Sequence, residues 1–144
     1  MPDILHVGKL LQLRKAQTAD LDYIMKLEYD KENLKYIVPF DRDFHTQIIE
    51  NSLEAMDVIV EEIATKAPVG YLMINGLKTE AKEIEWTHVI IDKKGHGYGH
   101  EAMKLLKAWA FDDLKFHRGW LDCKDYNARA LHLYEAEGMQ REGL

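Results

Sequence analysis

The chain has 144 residues, 47% hydrophobic and 31% charged, with a formal net charge of −6. That length makes one domain around one substantial core, and the acidic balance argues against a nucleic-acid binder, which is usually basic. Apolar runs such as Val58-Ile59-Val60 and Val89-Ile90-Ile91 fall far short of the roughly 20 residues of a membrane span. The N-terminus lacks the unbroken apolar stretch of a secretory signal, so the expected home is the cytoplasm. Cys123 is the single cysteine; it can form no internal disulfide and reads as a small buried hydrophobe. The seven histidines carry no HExxH signature, and no metal site is expected.

In chain order, Leu10 to Ala16 reads as a strand. Thr18 then offers an N-cap for an amphipathic helix carrying Leu21, Ile24, Met25 and Leu27. Pro39 should stop the next segment, and Thr46 to Met56 shows apolar residues at helical spacing. Met56 to Ile63 and Val69 to Leu77 are β-rich stretches around Thr65-Lys66-Ala67-Pro68, an antiparallel hairpin. Ile84 to Ile91 adds another strand. A glycine-rich turn leads into the clearest element of the chain, a helix with Tyr98, Ala102, Leu105, Leu106, Trp109, Ala110 and Leu114 on one stripe. Gly119 to Cys123 is a short strand, and Asn127 to Glu137 a helix ended by Gly138. Strand, helix, strand in one sheet requires a right-handed crossover, so the last two strands should be parallel. The expected class is α+β: a mixed, mostly antiparallel central sheet with helices on both faces.

Charge is distributed unevenly. Residues 93 to 118 carry a net +3, which leaves −9 for the remainder. A local anion site accounts for that asymmetry, as does a solvated helix face. Lys94-Gly95-His96-Gly97-Tyr98-Gly99 lies between strand and helix, where backbone N–H groups and the helix dipole converge. Glycine permits positive φ and close approach of an anion, with Lys93 and Lys94 adding charge at the rim. The Walker pattern is absent. Gly97-Tyr98-Gly99-His100-Glu101-Ala102 fits a dinucleotide fingerprint, with Asp122 near the place of a ribose-binding acid. That motif normally opens successive parallel βαβ units, whereas here a meander precedes it and only 22 residues follow Asp122.

The stretches KKGHGYGHEAMKLL and GWLDCKDYNARALHLYEAEGM resemble the GNAT N-acetyltransferases, in particular the branch of ribosomal-protein and polyamine acetyltransferases. The resemblance is best over residues 84 to 143 and rests on two linked motifs: the pyrophosphate loop, and an Asn followed seven residues later by Tyr. It implies acetyl-CoA in a cleft where the strand at Ile84 to Ile91 splays from the one at Trp120 to Cys123. The pyrophosphate would lie on Lys94, Gly95, His96, Gly97, Tyr98, Gly99 and His100, and the pantetheine along the backbone of Val89, Ile90 and Ile91. Asn127 matches the cofactor-contacting Asn and is equally a helix N-cap. Tyr134 matches the tyrosine that protonates the departing thiolate; as a core aromatic it would also fit its helix face. For the base, Glu85 on the cleft strand and Asp122 are the candidates, either of them acting through water.

Three departures from the family pattern stand out. Lys94 replaces the Arg or Gln at the loop entrance, losing bidentate geometry. The link from cleft strand to loop is about two residues short and lacks the common proline. The chain also stops where the family continues through one more strand hairpin, so the C-terminal strand is expected to be missing, by truncation or with a partner chain, such as a second copy in a homodimer, covering the open edge. The acceptor half, residues 1 to 92, has ten Lys or Arg against seventeen Asp or Glu, which suits a cationic amine, small molecule or peptide. Tyr36, Phe40, Asp41, Arg42, Phe44 and His45 are candidates for a lid over it. Two other readings stand beside the transferase: a nicotinamide dinucleotide oxidoreductase domain, and a CoA-binding module that no longer transfers.

Overall fold

The aliphatic runs of the sequence pair with their chain neighbours, because short hairpin connections hold successive strands side by side. In the computed structural model, which describes residues 3–143, six strands form one sheet. They are β1 (Ile4–Val7), β2 (Leu11–Lys15), β3 (Ala55–Glu62), β4 (Pro68–Asn75), β5 (Glu83–Ile91) and β6 (Arg118–Trp120), in that spatial order. All neighbours are antiparallel except β5 and β6, which are parallel as the crossover requires. Helices cover both faces. The helices α1 (Leu21–Glu28) and α2 (Arg42–Asn51) lie on one, over Ile59, Tyr71, Met73 and Ile90; α3 (Tyr98–Lys107) lies on the other, over Leu13, Val60, Leu72 and Trp86. The last helix, α4 (Ala128–Ala136), follows β6. No helix among the described residues is long and apolar enough to cross a membrane.

Several local expectations shift. β1 has no counterpart in the sequence reading: it is a four-residue edge strand with half-exposed side chains. Thr18 does not cap α1; it opens a 3₁₀ turn in which the Asp20 carboxylate accepts from the Gln17 N–H at 2.8 Å. The second helix begins at Arg42 rather than Thr46, because Asp41 caps it by accepting from the Phe44 N–H at 2.8 Å. The long helix ends at Lys107 and passes into a π-helical segment, Ala108–Asp113, which seats Phe111 against Trp86. The last strand stops at Trp120, so 121–123 have already left the sheet. Among the described residues β6 is the final strand, and its outer edge is unpaired.

Between α1, α2 and the sheet lies a cluster of buried charge. Glu28, His45 and Asp57 are 0%, 0% and 1% exposed. His45 Nδ1 is 2.7 Å from Asp57 Oδ2 and its Nε2 is 2.7 Å from Glu28 Oε1. Ionised carboxylates only accept, so both ring nitrogens carry hydrogen and His45 is an imidazolium. Burial works against that charge, but the hydrogen bonds that His45 donates to Asp57 and Glu28 outweigh it and raise His45 from 6.5 to about 9. Burial likewise opposes the Glu28 carboxylate, which the donors His45 and His88 nevertheless hold down at about 2. For Asp57 burial wins and the shift is upward.

Removing one partner of a buried ion pair strands the others, so His45→Ala is expected to cost about 3–5 kcal/mol in urea unfolding. In the unmutated protein the His45 contribution is complete below about 6.5 and is lost as pH rises through about 9. The Glu28 contribution is complete above about 4.5 and is lost as pH falls to about 2. Unfolding midpoints measured across pH should therefore decline on both sides of the interval between those limits.

Candidate active site

β5 is the strand that creates a cleft. Its pairing with β4 runs Ile74↔Trp86 and then Met73↔His88, leaving Thr87 as an extra residue in a bulge. Ile84 and Trp86 therefore face α3, while His88 and Ile90 point to the α1 and α2 side. On its other edge β5 pairs with β6 only through Glu83, Ile84 and Glu85. From Thr87 to Ile91 that edge has no strand beside it among the described residues. The gap opens into a groove of about 1500 Å³ lined by Glu85, Thr87, His88, Asp122, Cys123 and Tyr134. A smaller hollow of about 60 Å³ reaches Val89 and Asn127 and also includes Tyr134.

The glycine loop lies beyond the end of β5. Gly95 and Gly97 have φ of 81° and 72°, and a Cβ at either would meet nothing within 4 Å, so the loop presents an open backbone surface. Gly97 caps α3 without any side-chain hydrogen bond, which leaves the first-turn N–H groups of Tyr98, Gly99 and His100 to a ligand. These features fit a pyrophosphate. The side chains around them have other duties. Tyr98 donates to Glu62 at 2.6 Å, and Lys93 pairs with the same carboxylate at 2.9 Å, so Lys93 does not serve the rim as a free cation. His100 Nδ1 lies 2.9 Å from Glu137. His96 is exposed beside the Tyr98 ring. Gly99 serves packing, since a Cβ there would come 3.2 Å from Leu133 of α4. Lys94 folds back to donate to the Ile91 carbonyl at 2.7 Å; burial and the charge of Arg129 depress its pKa. Arg129, which sequence reasoning passed over, is thus a second cation near the loop.

Glu101 disposes of the dinucleotide fingerprint. Its Oε2 accepts from the N–H groups of Lys9, Leu10 and Leu11 at 3.0, 2.8 and 2.8 Å, which ties the start of α3 to the β1–β2 turn. With one parallel strand pair in the sheet, the Rossmann topology is absent as well.

The structure brings the other anticipated residues to the cleft. Val89 and Ile91 pack toward the α3 core and Ile90 is buried on the opposite face, with their backbone along the free edge. Asn127 caps α4, its Oδ1 accepting from Ala130 N–H at 3.2 Å, and also lines the hollow. The Tyr134 ring packs on the core. Burial, and secondarily Cys123, push its phenol well up, so it keeps its proton at neutral pH. Glu85 and Asp122 sit close enough that burial and then the Asp122 charge raise Glu85. Cys123 is half-buried against the groove rather than a core residue. His88 and the Thr87 bulge were missed, although a polar pair inside an otherwise apolar strand was the signal available.

A family model described as an acetyltransferase (GNAT) domain matches residues 11–140. Among solved structures, the spermidine N-acetyltransferase of Vibrio cholerae, determined with CoA and spermine, superposes at a TM-score of 0.83 with 22% identity, covering 94% of this chain and 84% of that one. A GNAT-family acetyltransferase from Bacillus anthracis gives 0.81 with 22% identity, covering 99% and 86%. The family match runs from β2 to just past α4 and takes in both cleft strands and the glycine loop, so the chain belongs to the GNAT acetyltransferase family and is an acetyl-CoA-dependent N-acetyltransferase.

Proposed function

We infer that the acceptor is a cationic primary amine of the polyamine kind, and that Tyr134, Glu85 and Asp122 carry the chemistry. The observation that carries this reading is the convergence of Glu85 and Asp122 on one groove with the Tyr134 phenol. Two carboxylates attract an ammonium, and the spermine held by the Vibrio cholerae enzyme is an amine of that class. Bound acetyl-CoA supplies a thioester carbonyl for the amine and a thiolate leaving group. The N–H groups of Tyr98, Gly99 and His100, with Lys94 and Arg129 nearby, bind the pyrophosphate. Asn127 and the free edge of Val89, Ile90 and Ile91 orient the arm of the cofactor. A backbone N–H of that edge receives the charge that develops on the carbonyl oxygen. Glu85 accepts the ammonium's proton, directly or through water, and its raised pKa makes it a better acceptor than an ordinary carboxylate. Tyr134 gives its phenol proton to the departing sulfur. The cytoplasm is the compartment we assign.

Acetyl-CoA and CoA are expected to raise the melting temperature while NAD and NADP leave it unchanged; a shift with NAD alone would remove the cofactor assignment. Tyr134→Phe should lower acetyl transfer to spermidine by about 10²-fold or more with CoA affinity nearly intact. Full turnover in that variant takes Tyr134 out of the mechanism. A second copy along the outer edge of β6 would cover that strand, so light scattering after size exclusion should give a dimer or larger; a stable monomer rules that coverage out.

A further inference from the structure

Glu28, His45 and Asp57 do not form a closed set. Glu28 also accepts from the Tyr71 hydroxyl at 3.1 Å through Oε1, and its Oε2 lies 3.0 Å from His88 Nδ1. The Tyr71 oxygen is 3.2 Å from the same ring nitrogen. His88 is 6% exposed and lines the groove beside Thr87, with the Phe40 ring, which lines the same groove, 5.3 Å away. Five polar side chains from α1, α2, β3, β4 and β5 therefore run from the interior of the α1–α2 layer to the cleft wall.

The hydrogens in this chain follow from the partners. The Tyr71 hydroxyl gives its hydrogen to Glu28 Oε1, so its oxygen accepts from a hydrogen on His88 Nδ1; the 3.0 Å approach of that nitrogen to Glu28 Oε2 is a charge contact, Oε2 being buried without a hydrogen-bond donor. The neutral ring then carries its lone pair on Nε2, which no group among the described residues engages. His45 stands between the carboxyl groups of Glu28 and Asp57, and Glu28 Oε2 and Asp57 Oδ1 are both buried with no hydrogen-bond partner. Among the members of the cluster, His88 is the one whose ring reaches the cleft wall.

We propose that Nε2 of His88 is the final acceptor of the proton that the amine gives up, with Glu28 as its positioning residue. The proposal rests on the amine-transferase reading and deepens it: Glu85, flanking the same bulge, passes the proton on directly or through water and is free for the next ammonium. The balance closes. The ammonium loses one proton to His88 by way of Glu85, and its neutral nitrogen forms the C–N bond as the C–S bond breaks. Tyr134 protonates the sulfur and recovers a proton from the new amide nitrogen, and His88 releases its proton to solvent after the products leave. The groups facing His88 are Glu28 from α1, His45 from α2, Asp57 from β3, Tyr71 from β4, Glu85 on its own strand, and Asp122 beyond β6.

Two measurements test this. In protein labelled with ¹⁵N-histidine, long-range proton–nitrogen correlation spectra of the ligand-free enzyme, assigned with His88→Gln, should show the Nδ1–H tautomer for His88 near neutral pH. They should also show uptake of a second proton as pH falls, without unfolding; the Nε2–H tautomer overturns the proposal. In His88→Gln with an unchanged melting temperature, kcat/KM for acetyl transfer to spermidine should drop by about 10²-fold at neutral pH and recover as pH approaches the amine's own ionisation range. An unaltered pH profile in His88→Gln, in an enzyme that Tyr134→Phe disables, overturns the role of His88 alone. Failure of the unmutated enzyme to acetylate any amine overturns the transferase reading instead, and the tautomer then still decides how the His88 ring is held. Should His88→Gln fail to fold, the spectra of the unmutated protein, assigned through the ring contacts with Phe40, carry the test.

Discussion

The parting of β5 from β6 is the constraint on which the rest of the cleft depends. Pairing stops at Glu85 and Trp120, yet β5 continues for six more residues. A strand edge inside a protein needs hydrogen-bond partners, because an unpaired buried backbone group costs about as much as a lost hydrogen bond. The free edge of β5 is therefore either solvated or completed by an extended ligand that carries its own amides. The bulge at Thr87 acts at the same point, reversing which side chains face which layer. A strand of regular register would place Trp86 and His88 on one face. The bulge sends the indole into the α3 core and the imidazole to the opposite layer.

The placement of charge in the α1–α2 layer follows from that reversal. Ion pairs in an apolar interior lose hydration that their mutual attraction barely restores, so stability alone gives little reason to keep five polar groups there. Their cost is limited because each ring or carboxyl meets another within about hydrogen-bond distance, and because the imidazolium of His45 lies between the two acids. What the arrangement yields is a connected set of polar groups that reaches the cleft wall at His88.

Much of this was legible in the chain, and the rest fails to be for identifiable reasons. Strands β2 to β5, helix α3 and the glycine loop each carry their periodicity or turn chemistry within a short window, and the two motifs that flag the family are equally local. β1 is four residues at an edge, too short and too exposed for alternation to register. The start of α2 depends on one Asp side chain, and Thr46, a poorer clue, lies inside the helix, where its hydroxyl bonds back to the Arg42 carbonyl. The sequence puts Lys93 at the rim, but its partner Glu62 lies at the end of β3 and only folding brings the two together. The cluster from Asp57 to His88 is invisible to any local reading, since its members come from five elements that meet only across the packed layer.

The three N–H groups of the β1–β2 turn that hold Glu101 form a small cage for an anion supplied by the protein itself. An acidic side chain in the first turn of a helix ordinarily competes with any phosphate drawn to that helix end. Here its charge is spent on a different segment. The hairpin contributes nothing to the cleft wall, yet it shields the anion seat from the helix's own acid and anchors it to the far edge of the sheet. A change in the length or backbone of that turn would thus be felt as electrostatic repulsion at the glycine loop.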